Sequence, residues 1–491
     1  MQELTAGESS SRARLPSFSL RDGEPLHLVG AAGAGVGGLM RLLRELGHQV
    51  TACDGKGGAW MEEALALGVP AFAQHDVHHI PEECRLLVRS AAVPDDRPEI
   101  ASARARGVRV IKYAELLGCL VNRRRGVAVA GTHGKTTTTA WTAYILSRGH
   151  LAPSYVVGGV PHDLAGRAHA GEGPFFVVEA CEYDDSFLNF HPAHAAILNV
   201  EMDHLDYFGT PERLLQSFRA FAAQVGEGGV LVLGEEVPRE VEEHVGAGVR
   251  IIRVGWSAAC DVIARDLEVR AGCYTFHLSI EGESLGRVQL RLAGRHNVEN
   301  ALAAAALARH CGVGASEIID SLERFSGVGR RLDPVGLAGG ITLLEDYAHH
   351  PTAVRVVADA LRGVHPSRRL VALFQPHQIS RTRYFLKEFA GALARFDRVL
   401  VADIYDARDF ALRLDPVRSQ DLVEEVLRAG GSARVVGRGT EVVDATCAEL
   451  REGDVCVVMG AGDINEVTPL IRRRLLSERE AWPSPVCHAV A

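Results

Sequence analysis

A chain of 491 residues is too long for one hydrophobic core, and its length predicts about three domains. Its composition, 47% apolar and 23% charged, is ordinary for a soluble globular protein. The net charge of −9 argues against nucleic acid or an anionic membrane as the main partner.

The N-terminus and the cysteines favour a cytoplasmic protein. Residues 1–22 form a polar lead without the apolar segment of a secretory signal. No apolar run approaches the roughly 20 residues of a membrane span. Ten cysteines occur singly, without a CxxC pair, so neither a zinc site nor a disulfide framework is indicated.

The first predicted strand, Leu26–Val29, runs into a glycine-rich loop. Gly33, Gly35 and Gly38 form a GxGxxG pattern, followed by a helix predicted to start at residue 39 and by a second strand. That strand ends at Asp54, where an acidic side chain can bind a ribose hydroxyl. A nucleotide site is therefore predicted. A dinucleotide-dependent oxidoreductase is one interpretation, although a second phosphate loop further along the chain argues against it.

That second loop is the strongest signal in the sequence. Residues 127–129 have the pattern of a buried parallel strand, residues 131–136 read GTHGKT, and a helix is predicted through residue 146. Glycines let backbone N–H groups approach a phosphate, and the helix N-terminus adds positive potential. Lys135 would reach the β- and γ-phosphates of ATP, and the Thr136 hydroxyl would bind Mg²⁺.

The stretch GTHGKTTTT resembles the phosphate loop of the Mur ligase family, whose members add amino acids to the UDP-linked peptidoglycan precursor. The resemblance runs from about residue 25 to 470 through motifs in the same order as in the family. These are NVEMDHLD at 199–206, GRHNVENA at 294–301, GVGRR at 327–331, DYAHHP at 346–351 and FQPHQISRT at 374–382.

The resemblance implies an α/β fold with three domains. A Rossmann-like domain at 23–124 would bind the UDP-sugar, and a P-loop ATPase-like domain at 125–328 would bind ATP. A Rossmann-like domain at 329–491 would bring the amino-acid site over the ATP. The charged run at 122–125 is expected to be the first linker.

Binding residues follow from the matched motifs. The UDP-sugar would contact Gly33, Gly35, Gly38, Asp54 and Ser90. ATP would contact Gly131, Thr132, His133, Gly134, Lys135, Thr136, Thr137, Asn297, Asn300, Arg330 and Asp346.

Carboxylates at the ends of parallel strands predict where Mg²⁺ binds. Glu179 ends the predicted strand at 175–178 and is our first choice, ahead of Glu182. His204 follows a strand predicted at 195–200, and the family resemblance makes it a ligand of a second Mg²⁺. The predicted metal residues are therefore Thr136, Glu179 and His204.

The C-terminal motifs predict the amino-acid site. The resemblance places His349 near the ATP and makes His377 and Arg381 candidates for holding the amino-acid carboxylate, for which an arginine fork is suited. Many family members have arginine where this chain has Gln378. The predicted catalytic residues are Lys135, Glu179, His204, His349 and Arg381.

The resemblance implies an ATP-dependent ligase that joins L-alanine to UDP-N-acetylmuramate through an acyl phosphate. Residues 212–221 lack the lysine that several branches carbamoylate, as in the alanine-adding branch. A ligase that attaches a whole tripeptide for recycling is the alternative, but its usual insertion is absent between residues 187 and 192. We expect ATP, Mg²⁺ and small-molecule substrates, no nucleic acid or membrane partner, and a monomer or weak homodimer.

Overall fold

The computed structural model of the chain describes residues 20–21, 23–406 and 417–480. The predicted lead, except for Leu20 and Arg21, therefore lies outside the described residues. The chain divides into two compact units. The first comprises Met1–Arg124 and Ser186–His191, and the second comprises Arg125–Asp185 and Pro192–Ala491.

The first unit contains a five-stranded parallel sheet with the order β3-β2-β1-β4-β5. Its elements are β1 (Leu26–Val29), α1 (Ala34–Glu45), β2 (Val50–Cys53), α2 (Ala59–Ala66), β3 (Ala71–Phe72), β4 (Leu86–Arg89), α3 (Pro98–Ala105), β5 (Arg109–Lys112) and α4 (Tyr113–Val121). Strands β1 and β4 are buried at every position, as expected for a parallel sheet covered on both faces. This sheet confirms the predicted Rossmann-like fold.

The second unit contains two sheets, of which the first has ten strands in the order β15-β14-β13-β12-β11-β10-β6-β9-β7-β8. Strands β6, β7 and β9 to β13 run parallel, whereas β8, β14 and β15 pair antiparallel. Its strands are β6 (Arg125–Ala130), β7 (Ser154–Val156), β8 (Ala168–His169), β9 (Phe175–Glu179), β10 (His194–Ile197), β11 (Val230–Gly234), β12 (Arg250–Gly255), β13 (Val262–Arg270), β14 (Cys273–Ile280) and β15 (Glu283–Ala293).

The helices of this region are α5 (Lys135–Arg148), α6 (Leu205–Phe208), α7 (Pro211–Ala222), α8 (Arg295–His310) and α9 (Ala315–Arg324). Helix α8 is rich in alanine, and its residues 301–308 are fully buried. Small side chains allow a helix to lie close to its neighbours, and α8 shares one core with α5 and the sheet. Within this core the Trp141 and Phe325 rings stack 4.8 Å apart.

The last sheet has the order β16-β17-β21-β18-β19-β20, parallel except for the edge strand β16. Its elements are β16 (Asp333–Ala338), β17 (Ile341–Asp346), α10 (Pro351–Val364), β18 (Leu370–Phe374), α11 (Ile379–Tyr384), α12 (Leu386–Leu393), β19 (Arg398–Ala402), α13 (Ser419–Arg428), β20 (Ala433–Gly437), α14 (Thr440–Glu449), β21 (Val455–Met459) and α15 (Thr468–Glu480). Pro351 opens α10 at its first position, as predicted. Within the described ranges, no helix combines the length and apolarity needed to cross a membrane.

The largest errors in the predicted element bounds concern α1 and β10. Helix α1 begins at Ala34, earlier than the predicted start at residue 39, so Gly35 and Gly38 belong to the helix. Strand β10 ends at Ile197, short of the predicted residue 200, because Asn199 and Glu201 bond to the phosphate loop.

His27 is a buried histidine that the first unit keeps neutral. It lies on β1, its Nδ1 is 2.8 Å from Thr51 Oγ1, and its Nε2 is buried without a partner. Burial, with smaller contributions from His79 and His75, lowers the pKa of His27 to about 3. An unfolded chain would protonate this ring near pH 6.5.

We therefore expect acid to destabilise the first unit. Between pH 6.5 and about 3 the unfolded chain binds a proton at His27 that the folded chain does not, so the stability present above pH 6.5 is lost as the pH falls. The slope is up to about 1.4 kcal/mol per pH unit. Calorimetric melting at pH 7.5 and pH 5.0 should show a smaller pH dependence for His27→Gln than for the native chain. The exposed-site control His78→Gln should retain the native dependence.

Candidate functional site

The candidate site lies in the ten-stranded sheet, at the point where the order of successive strands reverses from one side of β6 to the other. Strand β6 is flanked by β9 and β10, so the carboxyl ends of three parallel strands meet at one edge. Gly131 follows β6, Glu179 ends β9, and Asn199 follows β10. Such a switch point is where open α/β sheets bind ligands.

The phosphate loop has the backbone that its glycines require. Gly131 and Gly134 have φ values of 132° and 82°, which disfavour any residue with a side chain. A Cβ on Gly134 would also lie 2.4 Å from Asn300 Oδ1. Helix α5 starts immediately afterwards at Lys135, slightly before its predicted start after Thr136, with Thr137 buried in its first turn.

Residues after β10 hold the loop through hydrogen bonds. The Thr132 hydroxyl donates to the Glu201 carbonyl over 3.0 Å and accepts from the Glu201 N–H over 2.9 Å. The His133 N–H donates to Asn199 Oδ1 over 2.8 Å, and His133 Nε2 is 3.1 Å from Glu201 Oε2. The loop is therefore held in shape by the chain itself.

Lys135 is the charged centre of the loop. Its Nζ donates to the carbonyls of Gly131 (2.6 Å) and Thr132 (3.2 Å) and lies 2.9 Å from Glu182 Oε2. Burial alone would lower the pKa of Lys135, but Glu182, Cys181 and Glu179 together outweigh burial and raise that pKa above its usual value. The ammonium is therefore charged and placed beside the loop.

Thr136 and Glu179, two of the three predicted metal residues, are in direct contact. The Thr136 hydroxyl donates to Glu179 Oε1 over 3.1 Å, and the Gly158 N–H donates to Glu179 Oε2 over 2.8 Å. Arg331 Nη2 donates to Thr136 Oγ1 over 3.0 Å. The sequence predicted Arg330 as an ATP contact but left open whether Arg330 or Arg331 contacts phosphate. Arg330 donates to the Gly460 carbonyl over 2.7 Å, whereas Arg331 is bonded to Thr136 of the loop.

The third predicted metal residue, His204, lies beside Glu182. His204 Nε2 is 3.9 Å from Glu182 Oε1, and its Nδ1 is buried without a hydrogen-bond partner. Burial lowers the pKa of His204, which favours the neutral ring that can ligate a metal. Glu182, which the sequence ranked behind Glu179, therefore contacts both Lys135 and His204.

The two predicted asparagines of α8 are linked by hydrogen bonds to the helix that follows the loop. Thr138 Oγ1 donates to Asn300 Oδ1 over 3.2 Å, and Asn300 Nδ2 donates to Asn297 Oδ1 over 3.1 Å. Asn297 Nδ2 in turn donates to the Ala293 carbonyl over 2.8 Å. Both amides therefore contribute to the packing of α8 against α5.

A cavity of about 250 Å³ opens next to Asn300. The Arg295 guanidinium lies 4.2 Å from the centre of the Trp256 ring, and Trp256 Nε1 donates to Glu299 Oε1 over 2.8 Å. Glu235 also lines the cavity and accepts the Trp256 backbone N–H over 2.7 Å. The lining combines a flat apolar ring with amide and carboxylate groups.

In the C-terminal sheet, Asp346 ends β17 with both carboxylate oxygens occupied. They accept backbone N–H groups of Leu332 and Ala348, each over 2.7 Å, and burial raises the pKa of Asp346. His349 Nδ1 is 2.8 Å from the Tyr347 carbonyl, which can only accept, so Nδ1 carries the proton and Nε2 does not. Burial lowers the pKa of His349 well below its usual range.

Arg381 is bound by a carboxylate of the central region. Its Nη2 and Nε donate to Asp203 Oδ1 over 2.7 and 2.9 Å, and both side chains are almost fully buried. Burial alone would raise the pKa of Asp203, but Arg381 holds it well below its usual range. Arg381 Nη1 is also 3.1 Å from His377 Nδ1, so the two predicted amino-acid residues are neighbours.

The predicted UDP-sugar residues lie in the first unit. Gly33 precedes α1, and a Cβ on Gly35 would lie 2.9 Å from the Tyr113 ring. The Asp54 carboxylate accepts the N–H groups of Ala32 (2.9 Å) and Lys56 (3.1 Å), so it shapes the loop. Ser90 follows β4, where its Oγ accepts the Ala92 N–H over 3.3 Å.

These features define an α/β protein that binds nucleotide phosphates. "Mur ligase family, catalytic domain" matches residues 25–125, "Mur ligase middle domain" matches 129–308, and "Mur ligase, glutamate ligase domain" matches 330–462. The chain belongs to the Mur ligase family. The oxidoreductase interpretation of the first glycine loop is therefore wrong.

Relatives and solved structures match along almost the whole chain. A UDP-N-acetylmuramate–L-alanine ligase of Caldanaerobacter subterraneus subsp. tengcongensis is 35% identical over 90% of this chain and 96% of its own length. The ligase of the same name from Kineococcus radiotolerans is 38% identical over 92% and 96%. The crystal structure of a UDP-N-acetylmuramate–alanine ligase from Thermotoga maritima, 26% identical, has a TM-score of 0.78 over 92% of this chain and 99% of that one.

Removing the Asp203 carboxylate should cost much more stability than removing an exposed one. Asp203→Asn would leave the buried Arg381 charge without its counterion, which costs about 3–5 kcal/mol. The control Asp359→Asn removes the partner of Arg395 in an exposed pair and should change stability only slightly. Urea unfolding of both variants measures the difference, and equal effects would contradict the importance of the buried pair.

Proposed function

We propose that the chain is an ATP-dependent ligase that joins L-alanine to the carboxylate of UDP-N-acetylmuramate. The observation that carries this proposal is the match of 35–38% identity to L-alanine ligases over at least nine-tenths of the chain. The helix α7 contains no lysine, which agrees with the alanine-adding branch.

The site supports the ATP half of this reaction. We assign the triphosphate to the loop at 131–136, where Lys135 would exchange its bonds to backbone carbonyls for phosphate oxygens. Arg331, which already contacts Thr136, would lie beside the same phosphates. We assign the nucleoside to the cavity beside Asn300, whose amide offers both a donor and an acceptor to a base.

The residues around Thr136 fit Mg²⁺. A hydroxyl and a carboxylate are the oxygen ligands that this ion prefers, and Thr136 and Glu179 are already within 3.1 Å of each other. The partnerless His204 Nδ1 and the neighbouring Glu182 provide a second donor group. Bound there, Mg²⁺ would neutralise negative charge on the transferred phosphoryl group.

The rest of the chemistry needs positioning and no covalent attachment to the enzyme. A carboxylate is a poor electrophile, so one of its oxygens must first receive the γ-phosphoryl group of ATP, which gives an acyl phosphate and releases ADP. The Lys135 ammonium stabilises charge on that group as it moves. The amine of L-alanine then attacks the acyl carbon, and inorganic phosphate leaves.

We assign the amine half of the reaction to the C-terminal sheet. The unprotonated Nε2 of His349 can accept a hydrogen bond from the incoming amine and orient it, because Nδ1 already donates to Tyr347. His377 and Arg381 remain the candidates for the amino-acid carboxylate. Arg381 already binds Asp203 through Nε and Nη2, so only its Nη1 side, next to His377, is available for sharing.

We expect Lys135→Ala to abolish turnover and to leave binding of the UDP-sugar intact. The loss should exceed about 100-fold in kcat, because the ammonium acts on the moving phosphoryl group. The control Lys387→Ala removes an exposed lysine of α12 and should keep the native rate. Phosphate release and calorimetric titration with UDP-N-acetylmuramate measure the two properties. Loss of UDP-sugar binding in Lys135→Ala would contradict the assignment of the two loops.

The amine substrate that the enzyme uses, L-alanine or the tripeptide, decides between the two ligase branches. Phosphate release from Mg-ATP and UDP-N-acetylmuramate should require L-alanine. The tripeptide L-Ala-γ-D-Glu-diamino acid should give no release in its place. Release with the tripeptide alone would assign the chain to the recycling branch, and release with neither would contradict the proposed reaction.

A further inference from the structure

A second group of potential metal ligands lies outside the residues assigned to Mg²⁺. His133 comes from the phosphate loop, Glu201 from the segment after β10, and His350 from the residue that caps α10. One ligand atom from each lies within 4.8 Å of the other two. We call these residues the His–Glu–His cluster.

We propose that the His–Glu–His cluster binds one transition-metal dication of the Zn²⁺ or Co²⁺ type. Two imidazoles and one carboxylate form a ligand set typical of zinc sites that keep a fourth position open. Mg²⁺ prefers an all-oxygen octahedron, so the cluster and the Thr136–Glu179 pair should select different ions.

The geometry already favours metal binding. His133 Nε2 is 3.1 Å and His350 Nδ1 is 3.8 Å from Glu201 Oε2, so short side-chain movements would bring the three atoms around one ion. The His133 backbone is fixed by Asn199, which bonds both its N–H and its carbonyl. The ligands therefore lie on a restrained frame.

A second group orients His350. Its Nε2 is 3.2 Å from the Met202 carbonyl, which can only accept, so the proton is on Nε2 and the lone pair is on Nδ1. The Thr352 N–H now donates to that lone pair over 3.3 Å, a long bond that an ion would replace. The nitrogen facing Glu201 is thus the one able to ligate.

The cluster is also accessible. Glu201 and His350 line a cavity of about 430 Å³ together with Thr352, Arg355 and Glu388. This space can admit an ion and hold a water molecule at the open position. Because the ligands join the phosphate loop to α10, a bound ion would fix the loop against the C-terminal sheet.

Titration of the full-length chain with Co²⁺ in the presence of millimolar Mg²⁺ tests the proposal. We expect one equivalent to bind with the strong visible absorption of a four- or five-coordinate ion, and Zn²⁺ to displace it. Glu201→Gln and His350→Asn should each weaken binding by about 100-fold or more, since each removes a direct ligand. Circular dichroism checks that both variants fold.

Two matched variants make the result specific. His204→Asn alters the histidine assigned to Mg²⁺, and His277→Asn removes an exposed histidine of β14; both should retain the Co²⁺ spectrum. Absence of the spectrum in the native chain would overturn the proposal whatever the variants show. Loss in His204→Asn together with retention in His350→Asn would also overturn it, because the ion would then occupy the other site.

Discussion

The structure depends on keeping a positive charge, that of Lys135, at a place largely closed to water. Two loop carbonyls and Glu182 surround the ammonium, and the Glu182 charge raises its pKa although burial alone would lower it. Burying an unpaired ammonium there would cost folding free energy. The loop, β9 and the residues after β9 must therefore place their carbonyls and the Glu182 carboxylate around it. The glycine backbone and the bonds from Thr132 and His133 to the chain after β10 hold that arrangement.

A second charge pair ties the C-terminal sheet to the central region. Asp203 follows β10 and Arg381 lies on α11, and their ion pair is buried. Arg331, just before β16, reaches the central region as well, through a hydrogen bond to the Thr136 hydroxyl. Charged groups from the C-terminal part therefore end within the phosphate-binding region, where a ligase must bring amine and activated acid together.

Much of the fold and of the site could be predicted from sequence because both depend on local signals. Buried strands appear as apolar runs, and glycines mark the loops, so β6, the phosphate loop and α5 were located correctly. The pairing of side chains could not be predicted. Neither the preference of Arg331 over Arg330 for the loop nor the contacts of Glu182 follow from spacing, since both depend on backbone turns beyond the motif.

Errors at element ends have the same origin. The sequence after Ile197 still contains apolar residues, yet β10 ends at Ile197 because Asn199 and Glu201 bond to the loop. Helix α1 starts inside the glycine pattern, since those glycines serve close packing, as Gly35 does against Tyr113. In both places tertiary contacts outweigh local propensity.

The hydrogen bonds that join Thr138, Asn300 and Asn297 have a genetic consequence. They link the first turn of the phosphate-loop helix to α8, whose alanines are fully buried in the core that α8 shares with α5 and the ten-stranded sheet. A slightly larger residue at one of these alanines would push the asparagines and the loop together, without touching any ligand. Alleles of this kind would behave as temperature-sensitive mutations, since heating would weaken the packing of the core and the binding of nucleotide together. The alanines of α8 thus help to hold the phosphate loop in place, although none of them lies in the loop.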